Sequence, residues 1–123
     1  MARFELTLEA EFAATHRLRM YDDQFETMHG HNWRVEAYYE GDRLDEIGVV
    51  ADFTPLQAQL RQIAAGLNDH CLNDLPIFAD RNPSAENVAR HIFDALAAAQ
   101  PERARLTKVR VWEAPGCAAA YCG

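Results

Sequence analysis

The stretch "HNWRVEAYYEGD", His31 to Asp42, decides the fold. Trp33, Val35, Ala37 and Tyr39 occupy one parity, and Arg34, Glu36, Tyr38 and Glu40 the other. A period of two is the mark of a strand with one face on a core. Gly41-Asp42 closes it with turn chemistry. Upstream, Phe4, Leu6, Leu8, Ala10 and Phe12 repeat the period, which predicts a first strand from Arg3 to Ala14. The polar run "HRLRMYDDQFETM" separates the two as a loop.

Two amphipathic strands need a cover, and the period changes to supply it. "DFTPLQAQLRQIAAGL" (Asp52 to Leu67) reads as a helix with Thr54 as cap, Pro55 in the first turn and Leu56, Leu60, Ile63 and Leu67 as the apolar stripe. After a loop from Asn68 to Arg81, "NPSAENVARHIFDALAAA" reads as a second helix. Asn82 or Ser84 caps it, Val88, Ile92, Leu96 and Ala99 line one face, and Pro101 stops it. "RLTKVRVWEA" is a third strand, with Leu106, Lys108, Arg110 and Trp112 opposite Thr107, Val109, Val111 and Glu113. "CAAAYC" (Cys117 to Cys122) is a short fourth. The order ββααββ in 123 residues predicts one α+β domain over 1–123, an antiparallel sheet with two helices on one face. Open sheet edges invite pairing between copies, so a homo-oligomer is expected.

The formal net charge of −7, without a basic stripe, argues against a nucleic-acid partner. No apolar run approaches the roughly 20 residues that span a bilayer, so no membrane association is expected. The three cysteines, Cys71, Cys117 and Cys122, form no C-x-x-C pair and read as small, semi-apolar filler in a reducing, cytoplasmic protein.

"TMHGHNW" (Thr27 to Trp33) carries the candidate chemistry. His29 and His31, two apart on a strand, point to the same side, and Gly30 allows close approach. His16 shares the parity of Phe12 and Ala14, and hairpin-paired strands bring their ends together. Three imidazoles and no fourth protein ligand is the pattern of a catalytic zinc site with an open position, although copper, nickel and iron also accept imidazole. The competing reading is a solvated pair on a half-exposed strand.

Several separated segments then point one way. "FAATH" (Phe12 to His16), "HGH" (His29 to His31), "GVVADF" (Gly48 to Phe53), "NDHCLND" (Asn68 to Asp74), "NPSAEN" (Asn82 to Asn87) and "VRVWEAPGCAAAY" (Val109 to Tyr121) resemble the 6-pyruvoyl-tetrahydropterin synthase family, which includes the 6-carboxytetrahydropterin synthases of queuosine biosynthesis. The resemblance implies the tunnelling fold, with sheets of several subunits joined into a barrel, usually a hexamer made of two trimers. It implies Zn2+ held by His16, His29 and His31, and 7,8-dihydroneopterin triphosphate as substrate. It also assigns Glu113 to the pterin, where a carboxylate accepts two hydrogen bonds from the aminopyrimidine edge. Ser84 lies where the family often has hydroxyls near the pterin, and it reads equally as a helix cap.

Two departures bear on the reaction. The family usually has a catalytic cysteine shortly before HGH; here "QFETMHGH" puts Phe25 at that place. Glu26 instead matches an E-x-x-H-G-H variant, which the family links to side-chain cleavage giving 6-hydroxymethyl-dihydropterin, a folate precursor. A glutamate beside substrate hydroxyls can take a proton; the alternative is a solvated loop carboxylate. "NDHCLND" is one residue shorter than the family spacing. Either Asp69 orients His70 as a proton shuttle, histidine being the side chain that titrates near neutrality, or Asn68 and Asp69 fill those places and the relay is damaged. His91 reads as structural. The resemblance thus implies a zinc-dependent pterin lyase; the rival is a pterin-binding relative that lost that activity or takes another substrate.

Overall fold

The computed structural model describes residues 2–123. Strand β1 is Phe4–His16 and β2 is His29–Gly41; they pair antiparallel from Phe4 opposite Gly41 to His16 opposite His29. Both reach the histidines, β1 two residues past the predicted end and β2 two before the predicted start. Helix α1 is Phe53–Leu67, β3 is His70–Cys71, α2 is Ala85–Ala97, β4 is Arg105–Ala114 and β5 is Cys117–Cys122. The sheet order is β3-β1-β2-β4-β5. Helix α1 packs on β1, and α2 on β4 and β5, so one sheet face is covered.

The core is what the alternation demands. Leu8, Phe12, Trp33, Val35, Ala37 and Tyr39 meet Leu56, Leu60 and Leu67 of α1 and Val88, Ile92 and Leu96 of α2. The Phe12 and Trp33 rings stack with centroids 5.6 Å apart. Burying such a side chain contributes about 1.5–3 kcal/mol.

The structure corrects several local expectations. Asp52, not Thr54, caps α1: its carboxylate accepts the Thr54 N–H at 2.9 Å. Ser84 caps α2 by accepting the Asn87 N–H at 3.2 Å, while Asn82 bonds elsewhere. Ala99 lies beyond the end of α2 and is exposed. The loop predicted over 68–81 contains β3, which runs parallel to β1, and two short 3-10 turns. Leu106 is buried on the side of Val109 and Val111, not with Lys108. A bulge explains this: Tyr38 and Tyr39 face Lys108 and Leu106, leaving Thr107 as the extra residue. Cys117 and Cys122 are exposed on edge strand β5 and Cys71 is half-buried, so the cysteines are not core filler. Among the described residues no helix is long and apolar enough to cross a membrane.

Two glycines give a paired test. A Cβ at Gly41 would stand 2.6 Å from both the Arg103 carbonyl oxygen and Val50 Cγ1, whereas one at Gly66 in α1 meets nothing within 4 Å. Gly41→Ala should lower stability by about 1–3 kcal/mol through overpacking. Gly66→Ala should raise it by roughly 0.5–1 kcal/mol through helix propensity. Urea titration of both variants measures the difference.

Candidate metal centre and active site

The β1–β2 register brings His16 opposite His29, and parity puts His31 on the same side. Ring centroids lie 4.6 Å apart for His16 and His29, 4.9 Å for His29 and His31, and 5.4 Å for His16 and His31. Trp33 sits against His16 at 4.9 Å and donates its indole N–H to the Ala14 carbonyl. His16 is 1% exposed, the one charged or polar side chain in the buried set among the described residues.

Backbone carbonyls orient two of the rings. His16 Nδ1 lies 2.7 Å from the Pro83 oxygen and His29 Nδ1 2.8 Å from the Thr27 oxygen. A carbonyl oxygen only accepts, so each Nδ1 carries the proton and each Nε2 of a neutral ring presents a lone pair. Burial lowers the His31 pKa, against a smaller opposing pull from Glu113, and so favours the neutral imidazole.

Glu113 completes the group. It has no partner in the β4–β5 ladder, where Trp112 and Ala114 pair with Ala118 and Cys117. Its Oε1 lies 2.7 Å from His16 Nε2 and 3.4 Å from His31 Nε2. Both ring nitrogens are nevertheless without an aligned hydrogen bond and are shut off from solvent. Donor atoms of His16, His29, His31 and Glu113 lie within 4.8 Å of one another. Buried lone pairs that converge without protons to share are what a cation satisfies. Three imidazole nitrogens and a carboxylate suit zinc, and the residues present fit it.

The remaining candidates are placed as follows. Glu26 is half-buried, its Oε1 3.8 Å from His29 Nε2, but the same oxygen accepts the Leu18 N–H at 3.0 Å. Asp69 has φ of +60° and Asp69 Oδ2 accepts from the Asn68 side chain at 3.3 Å. His70 is exposed at the β3 edge. Neither Asp69 nor His70 joins the four-residue cluster. Ser84 is the α2 cap, one residue after the Pro83 that holds His16. His91 packs edge-on against Phe78, and burial lowers its pKa, as for a structural histidine.

Sequence reasoning missed the residues that order the loop after β1. The Asn73 side chain accepts the Arg17 N–H at 3.0 Å and donates to the Arg17 carbonyl at 2.8 Å. Asn82 does the same for Arg19, at 2.8 and 3.0 Å. Only their loop setting and composition hint at this.

The sequence model of the 6-pyruvoyl tetrahydropterin synthases matches residues 5–123. The chain belongs to this family. It is 34% identical over 93 residues to a 6-carboxy-5,6,7,8-tetrahydropterin synthase of Synechocystis, covering 72% of this chain and 70% of that one. It is 28% identical over 104 residues to a dihydroneopterin monophosphate aldolase of Pyrococcus furiosus, covering 85% and 84%. Its fold matches that of the Caenorhabditis elegans 6-pyruvoyl tetrahydropterin synthase with a TM-score of 0.85 at 23% identity, over 100% of this chain and 97% of that one. Membership makes this a pterin-processing synthase or lyase.

The histidine cluster gives a direct prediction. Zinc should raise the thermal midpoint of chelator-treated protein, since it binds the folded state. His29→Ala, whose ring is 38% exposed, should fold normally yet bind zinc at least tenfold more weakly. Elemental analysis of the purified variant measures this; full zinc stoichiometry would refute the assignment.

Proposed function

We propose that this protein is a zinc-dependent lyase acting on 7,8-dihydroneopterin triphosphate or a close pterin, breaking or eliminating at its side chain. The observation that carries the reading is the convergence of one ring nitrogen each of His16, His29 and His31, with Nδ1 of His16 and of His29 fixed by backbone carbonyls. Bound zinc supplies Lewis acidity toward the vicinal hydroxyls of the substrate side chain.

The chain's own residues do the rest. Trp33 and the Pro83 carbonyl hold His16 against rotation. Glu113 binds substrate from beside the metal position, accepting hydrogen bonds. Ser84 uses its oxygen as the α2 cap, which leaves its hydroxyl proton for a substrate acceptor. Glu26 takes a side-chain proton through Oε2, its Oε1 being held by Leu18. The Asp69–His70 pair stands at an open sheet edge, outside the cluster. It lines a cavity together with Gly30 and His31, and the open edge leaves room for another copy to complete the site. This is in keeping with a homo-oligomer whose sheets join into a barrel, and with the hexamer that the family resemblance implies.

The aldolase name of the Pyrococcus furiosus relative supports C–C cleavage, which suits a chain with no cysteine before Cys71. The second reading, a pterin-binding relative without the usual activity, draws support from the same Leu18 bond, which ties the Glu26 carboxylate into the loop.

Incubating zinc-loaded protein with 7,8-dihydroneopterin triphosphate and resolving products by mass spectrometry separates the two. A hydroxymethyl product is expected, with Glu26→Gln lowering kcat by roughly 10²–10⁴-fold. A carboxy product would overturn the glutamate route. Pterin binding without turnover would establish the second reading.

A further inference from the structure

Asp69 stands in a left-handed backbone conformation, with φ of +60°. The other non-glycine residue with positive φ among the described residues, Asp23, belongs to the turn in the loop after β1. Asp69 has no such turn to make. It joins the end of α1 to β3, where glycine would fit with less strain. A carboxylate kept in that conformation points to chemistry.

The conformation is held from several sides. Asn68 ends α1, its N–H donating to the Ala64 carbonyl at 3.0 Å. Its side-chain oxygen accepts the Ala13 N–H of β1 at 2.9 Å, and the Asp69 N–H donates to the Ala13 carbonyl at 2.7 Å. The other arm of the Asn68 amide donates to Asp69 Oδ2 at 3.3 Å. These partners settle which end of the amide is oxygen and which nitrogen. The amide fixes one carboxylate oxygen and leaves Oδ1 to a substrate.

The contact that a carboxylate–histidine relay needs is not made. Among the described residues no carboxylate oxygen of Asp69 lies within 4.0 Å of a His70 ring nitrogen. Both residues line a cavity of about 490 Å³ with Gly30 and His31. Cys71 lines it too, but its thiol faces Met28 Sδ at 3.8 Å and Asn73 Oδ1 at 3.9 Å. Outside the metal group, the oriented proton carrier of this cavity is Asp69, and its exposure lets it exchange protons with water.

We propose that Asp69 delivers the proton that closes the substrate carbon beside the pterin ring, that Asn68 is its positioning residue, and that His70 takes no part. The assignment rests on the proposed lyase reading. Glu26 takes the proton of the hydroxyl one carbon further out. The bond between the two hydroxyl-bearing carbons breaks, its electron pair passes into the C=N bond of the ring, and the outer fragment leaves as an aldehyde. The carbon left on the ring lacks one proton. Asp69 takes it from water and hands it on as the electron pair returns to form the C–H bond, and Glu26 gives its own proton to the hydroxide left behind.

Turnover of 7,8-dihydroneopterin triphosphate by the zinc-loaded protein in D2O, read by mass spectrometry, tests this. Asp69→Asn tolerates the positive φ. It should lower kcat by roughly a hundredfold or more, with KM, zinc content and thermal midpoint as in the parent. Asp69→Gly, which also suits that backbone, should match it. Asn68→Asp keeps an acceptor for the Ala13 N–H but loses the donor to Asp69; kcat should fall about tenfold at unchanged KM. His70→Gln and Cys71→Ser should turn over as the parent does. Parent-like kcat in both Asp69 variants would overturn the proposal and leave the lyase reading standing, and an equal loss in His70→Gln would return the role to histidine. Where no pterin is turned over, deuterium entering the ring-side carbon of recovered substrate is the readout. Exchange that Asp69→Asn abolishes would uphold Asp69 and refute the lyase reading; no exchange in the parent would overturn both.

Discussion

The register of β1 against β2 is the constraint on which the rest of the structure depends. With Phe12 opposite Trp33 and His16 opposite His29, the apolar residues of both strands fall on the covered face. A slip of one residue would turn every side chain of one strand to the other face. It would carry Leu8 and Phe12 out of the core and His16 away from His31 together. Packing and metal chemistry are therefore secured by one set of backbone hydrogen bonds. The core specifies the register, and the register assembles the donors at the strand ends without any contribution from their own attraction.

That assembly also explains why a buried imidazole is tolerated at His16. His16 is nearly inaccessible, but its outer nitrogen is satisfied by a carbonyl that cannot move, because Pro83 sits immediately before the α2 cap. The helix layer thus reaches across to fix a ligand carried by the sheet. Glu113 arrives from β4 at a point where the ladder to β5 skips it. Three elements converge, and each is held by bonds unrelated to the metal.

Much of this is legible in the chain. Periods of two and near four announce strands and helices, and shared parity groups His16 with His29 and His31. What escapes is non-local or one residue deep. The Thr107 bulge reverses the face of Leu106, and no pattern within β4 signals it, because the bulge is defined only against Tyr38 and Tyr39. Strand β3 is two residues long and exists only beside Ala14 and Thr15. Asp52 and Thr54 are both competent caps, and the choice lies in where the first helical turn begins. Glu113 reads as functional from the sequence, but spacing says nothing about how near β4 brings it to the histidines at the ends of β1 and β2. Glu26 carries a loop hydrogen bond that its position before HGH does not reveal.

The paired amides of Asn73 and Asn82 bond to main-chain atoms of Arg17 and Arg19 and leave the side chains uninvolved. Conformation and chemistry in that loop are consequently decoupled. Positions 17 and 19 can exchange side chains while the path of the chain stays the same, so the segment behaves as an interchangeable cassette on a fixed frame. Change of side-chain chemistry there would carry little penalty in folding, and related chains could diverge in the charge of this loop long before they diverge in shape.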